Sequence, residues 1–290
     1  MRDKFTKRIM IFGGSTIVCL VIFSLFYYQY RSDIFLTILM LTPMFSVILT
    51  RVITKEKSAL FLKPRFKGSV RWYLAAYLLT PFVAYAGAIL FFVLNPDRLD
   101  MINSKFAVQA GVTTMPGYYQ LIATTIPLAI IINPIMGLIS CFGEEFAWRG
   151  YLLPKLCEKL SVPKAVLLSG LIWGLWHAPI IATGFNYGTT NILLGIVFMT
   201  AFCMVLGIIT AFLFFKTKTV WVVVIFHAAV NGIDLWAPAN LFMSEDPNLF
   251  IGPNLVGAVG GIGFVVVAIV CFISICKDAD NIRLQMEEKE

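Results

Sequence analysis

Apolar residues fill this chain in long uninterrupted blocks, with none of the two-residue alternation of a half-buried strand. Eight blocks approach the roughly 20 residues that cross a bilayer: 9–28, 34–50, 72–94, 118–142, 164–182, 192–215, 219–236 and 255–276. The pattern predicts an all-α, polytopic membrane helix bundle of about eight transmembrane helices. The first block follows a basic leader, Arg2, Lys4, Lys7 and Arg8. Its apolar stretch is too long for a signal-peptide core and no small-x-small cleavage site follows, so it reads as a retained helix.

The distribution of cations orients the bundle. With both termini in the cytoplasm, 20 of the 23 Lys and Arg residues fall on the cytoplasmic side, leaving only Arg31, Arg98 and Lys105 outside. This is the bias expected of cytoplasmic loops. It predicts three parts: membrane helices with a basic loop over 1–117, a core over 118–236, and an outer loop, last helix and tail over 237–290. The basic loop 51–71 reads as a solvated linker. No internal repeat is visible.

Composition narrows the class. Of the 290 residues 59% are hydrophobic and only 13% charged, against about a quarter charged in soluble domains. A soluble enzyme, a disordered chain and a disulfide-rich secreted scaffold are excluded. The net charge of +7 is accounted for by the loop bias, so no nucleic-acid partner is expected; the lipid bilayer is. Six cysteines, none in a CxxC pair and most in apolar runs, act as small hydrophobes. The predicted location is a membrane, with a bacterial cytoplasmic membrane as the expected one.

Ionisable groups inside a bilayer are costly and point to function. The fourth block runs into CFGEEFAWRGYLLP, with Glu144, Glu145 and Arg149. The fifth holds GLIWGLWHAP with His177, and the seventh VVVIFHAAVNGID with His227, Asn231 and Asp234. These two histidines are the only ones in the chain. Measured from Lys155, Lys164 and Lys218 at about 1.5 Å per residue, Glu144 lies roughly 16 Å deep, His177 and Asn231 roughly 20 Å, and His227 roughly 14 Å. Three helices thus bring polar groups to one level.

Helical spacing sorts these groups. Glu145 and Arg149 are i,i+4, the spacing of an ion pair, which leaves Glu144 about 100° around the helix. Asn133, Gly137 and Ser140 share the Glu144 stripe, which should face protein or water. Gly170 and Gly174 form a GxxxG that permits close helix contact. His227 and Asn231 share one face. Asp234, near the outer helix end, reads as a cap or solvated residue outside the site.

EEFAWR resembles the EExxxR motif, WGLWH the FxxxH motif and HAAVN the HxxxN motif of the CPBP family of intramembrane CAAX-type proteases. The order and the separate helices agree across 118–236, and Trp173 stands where phenylalanine is usual. A carboxylate in a poorly solvated site is suited to take a proton from water. The resemblance implies an intramembrane endopeptidase in which Glu144 and His177 activate water. It also implies that His227 and Asn231 stabilise the oxyanion and that Glu145 with Arg149 supports the helix. The implied substrate is a membrane-embedded or lipidated peptide or protein. No cofactor is favoured. The alternative is zinc, for which Glu144, His177 and His227 are the residues at hand, although no HExxH is present. A proton-coupled transporter and a non-catalytic membrane scaffold are the competing classes. Intramembrane ionisable groups confined to one half without visible symmetry argue against the first, and the intact motif set argues against the second.

Overall fold

The computed structural model describes residues 2–234 and 236–287. Leu235, inside the expected span 219–236, lies outside the described residues, as do residue 1 and residues 288–290 at the two termini. Among the described residues the regular secondary structure is all helical. Its helices are α1 (Arg2–Tyr30), α2 (Asp33–Thr54), α3 (Val70–Leu94), α4 (Lys105–Gln109) and α5 (Met115–Ala147). A π turn, Trp148–Leu152, joins α5 to α6 (Leu153–Cys157). Then come α7 (Val162–Trp176), α8 (Ala178–Ala182), α9 (Ile192–Thr217) and α10 (Val220–Asp234). The chain closes with α11 (Pro238–Phe242), α12 (Ile262–Lys277) and α13 (Ala279–Glu287). Among the described residues seven helical segments are long and apolar enough to cross a membrane. An eighth candidate is the pair Ile262–Lys277 and Ala279–Met286, bent by 72°.

Three expected spans differ in detail. The fourth does not stop near 142: helix and π turn continue it over Met115–Cys157, carrying Glu144 and Glu145 inside regular helix. The fifth breaks at His177, which sits between α7 and α8 with φ −76° and ψ −14°. The last starts at Ile262 instead of 255. Before it the backbone folds on itself so tightly that a Cβ on Gly260 would lie 2.1 Å from the Asn254 carbonyl oxygen, a compaction incompatible with a straight helix.

Contacts divide the chain into two compact units. The first holds Met1–Val70, Ile139–Val224 and Ala268–Glu290, the second Arg71–Leu138 and Ile225–Val267. In the first, α7 lies directly on α9 because Gly174 has no side chain: a Cβ there would meet the Thr200 Cα at 2.6 Å. The expected GxxxG contact is thus observed, with α9 as its partner. Asn191 starts α9 by accepting the Leu194 amide at 3.1 Å, and Lys218 ends it in a left-handed turn whose N–H returns to Phe214 O at 2.7 Å.

The loop 51–71 is exposed over 62–68, as its charges suggest, but not throughout. Glu56 and Ser69 are buried, and the loop carbonyls satisfy donors at the start of α10. Val220 N–H bonds Phe61 O at 3.1 Å and the Trp221 indole bonds Leu62 O at 2.7 Å. The first amides of a helix have no intrahelical acceptor, so a nearby strip of backbone is held there.

In the second unit Asn133 of α5 donates to Gly232 O of α10 at 3.2 Å. Phe91, Ala239 and Met243 form a small core with Phe92 and Val259.

Candidate functional site

The first unit assembles the Glu144 neighbourhood from α5, the π turn, α7 and α9. The expected ion pair is present: Arg149 Nη1 donates to Glu145 Oε1 at 2.9 Å, with both side chains buried. Glu144 is 1% exposed and is held differently. Its Oε2 accepts the Trp173 indole N–H at 2.6 Å and the Trp148 indole N–H at 3.3 Å. The guanidinium carbon of Arg149 lies 4.3 Å from the centre of the Trp173 ring, a favourable cation–π geometry.

His177 closes α7. Its Nδ1 lies 2.9 Å from Trp173 O, and Cys203 Sγ of α9 lies 3.6 Å from the same nitrogen. A carbonyl only accepts, so Nδ1 carries the proton, and the neutral form of the ring has its lone pair on Nε2. Trp173 therefore touches both candidate residues of this unit, Glu144 through its side chain and His177 through its backbone. Trp148 is packed edge-on by Phe12 of α1 at 6.1 Å and by Trp176 at 5.9 Å.

His227 and Asn231 belong to the second unit. They lie one turn apart on α10, His227 buried and Asn231 half-buried. On the stripe expected to avoid lipid, Asn133, Gly137 and Ser140 are half-buried, while Met136 and Ile139 alongside are exposed. Asp234 is half-buried at the end of α10.

Two groups escaped the sequence reading. Trp148 stands i,i+4 from Glu144, so helical spacing alone would have paired them. The Glu56 cluster carried no such signal. Glu56 accepts from Lys155 at 2.9 Å, Arg8 at 3.2 Å and the Tyr151 hydroxyl at 3.1 Å. Lys155 therefore does not mark a solvated helix end; it is 4% exposed.

The groups bonded to Glu144, the Trp148 and Trp173 indoles, suit a carboxylate better than a cation. Indole N–H groups and a guanidinium are donors without a lone pair to offer a metal. Among the described residues no three His, Cys, Asp or Glu side chains group closely enough to hold a metal ion.

Residues 124–233 match the Rce1-like family, described as type II CAAX prenyl endopeptidase Rce1-like. The chain is similar to this family over that segment. The matched segment runs from α5 through α10 and contains each residue of the three motifs. A relative described as CAAX prenyl protease 2, from Methanococcus maripaludis, is 28% identical over an alignment covering 53% of this chain and 68% of the relative. Several helices long and apolar enough to cross a membrane make this chain an integral membrane protein.

Proposed function

We propose that this chain is a member of the Rce1-like family and an intramembrane endopeptidase that cleaves a membrane-embedded or lipidated peptide or protein. Its basic loops and both termini face the cytoplasm of a bacterial cell, and residues 118–236 form the catalytic core. The observation that carries the reading is Glu144, a buried carboxylate tied on one oxygen by donor-only groups inside the family segment. Burial without a paired cation on that oxygen suits a proton acceptor better than a structural ion pair, and the ion pair is supplied next door by Glu145 and Arg149.

In this mechanism Glu144 and the Nε2 lone pair of His177 hold a water. As its oxygen attacks the substrate carbonyl carbon, a water proton passes to Glu144. The carbonyl oxygen becomes an oxyanion that takes hydrogen bonds from His227 and Asn231. The C–N bond then breaks as Glu144 returns the proton to the departing amine nitrogen, leaving a carboxyl product.

Glu144→Gln keeps the size of the side chain and an oxygen for the indoles but removes the base. Cleavage of a membrane substrate should fall by about 10²–10⁴-fold, with folded yield maintained. Comparing membrane peptidomes from cells making the two proteins finds the substrate. Normal cleavage by Glu144→Gln would remove the proposed base.

A further inference from the structure

The two oxygens of Glu144 are not equivalent. Both indole bonds, from Trp173 at 2.6 Å and Trp148 at 3.3 Å, fall on Oε2. A carboxylate oxygen has two in-plane lone pairs and an indole N–H can only donate. With two donors on Oε2, an arriving proton is directed to Oε1.

Trp173 also separates two charges. Its edge donates to the Glu144 carboxylate while its face carries the Arg149 guanidinium, 4.3 Å from the ring centre. Arg149 in turn bonds Glu145 at 2.9 Å. A buried carboxylate deprived of its donor seeks another, and the guanidinium is the strong donor in this cluster. Phenylalanine, the usual residue at this place in the motif the segment resembles, offers the ring and no N–H.

We propose that Trp173 is a positioning residue: its indole N–H holds Oε2 of Glu144 so that Oε1 receives the water proton, and its ring keeps Arg149 on Glu145. The proposal rests on Glu144 being the base of the endopeptidase.

Two substitutions separate the donor from the packing. Replacing Trp173 by 3-benzothienylalanine keeps the two-ring shape and exchanges N–H for sulfur; Trp173→Phe keeps one ring. In the full-length protein both should fold in normal yield and leave KM within about twofold. Both should lower kcat about tenfold or more, the effect of losing one hydrogen bond to a charged group. Wild-type kcat in the benzothienyl variant would overturn the proposal.

Infrared difference spectra give a readout without substrate. The carboxyl bands lost in Glu144→Gln belong to Glu144, and they should shift in the benzothienyl variant. Bands that stay in place would also overturn the proposal. A wild-type protein that cleaves no substrate would sink the endopeptidase reading alone, since the infrared bands still report whether Trp173 holds Glu144.

Discussion

Arg149 and Glu145 form an ion pair at 2.9 Å with side chains 1% and 0% exposed. Two charges so buried are stable only together, because each has exchanged water for the other. Arg149 has a second contact in the Trp173 ring, which ties the pair to the α7 side chain that bonds Glu144.

Arg149→Ala should therefore lower stability by about 3–5 kcal/mol, the range for breaking a buried pair by removing one partner. Folded yield and thermal unfolding of the purified protein measure it. Arg149→Ala protein as stable as wild type would show that the pair contributes nothing, and would point to water reaching Glu145.

Truncating either residue of the α10 pair should act on rate and spare the fold. His227→Ala and Asn231→Ala each remove a proposed oxyanion donor, for which losses of about 10²–10³-fold in kcat are usual. Steady-state kinetics decide it. A rise in KM with kcat unchanged would assign these residues to substrate binding.

Glu56 makes stability depend on acid. Burial opposes its ionisation, but Lys155, the Ser58 hydroxyl and Arg8 outweigh that and hold the carboxyl below the usual glutamate value. The folded protein thus keeps Glu56 charged at pH values where the unfolded chain has begun to protonate it. Its contribution is complete above the unfolded value of about 4.3 and is lost as pH falls through the lower folded value. Glu56→Gln should be less stable than wild type at pH 7, and the gap should close on acidification below about 4.3. A gap constant from pH 7 to pH 3 would show that the ion pairs carry no net stabilisation.

Topology can be tested with single cysteines in a background lacking Cys276, which is exposed. Lys67 and Lys159 are exposed, and Lys67→Cys and Lys159→Cys should react with an impermeant thiol reagent only after permeabilisation. Ser244→Cys, also at an exposed position, should react in intact cells. The opposite pattern would place the basic loops outside.

Much of this was legible in the residues themselves. Block length located the membrane helices, since backbone in lipid must close its hydrogen bonds within each segment. Helical spacing paired Glu145 with Arg149 and set Glu144 apart, and Gly170 with Gly174 marked a close approach. Those are relations within one helix, where a period of 3.6 residues ties sequence distance to spatial distance. Relations between helices carry no such ruler. In a chain apolar on nearly every face, hydrophobicity does not say which side of α7 meets α5 or α9. Only packing brought the Trp173 N–H to Glu144, 29 residues away, and Cys203 to His177. The same holds for Glu56 beneath Lys155 and for the carbonyls of Phe61 and Leu62 at the head of α10. Their charges and polar backbone looked fit for water, and the tertiary structure instead supplied each a partner that water would otherwise have been.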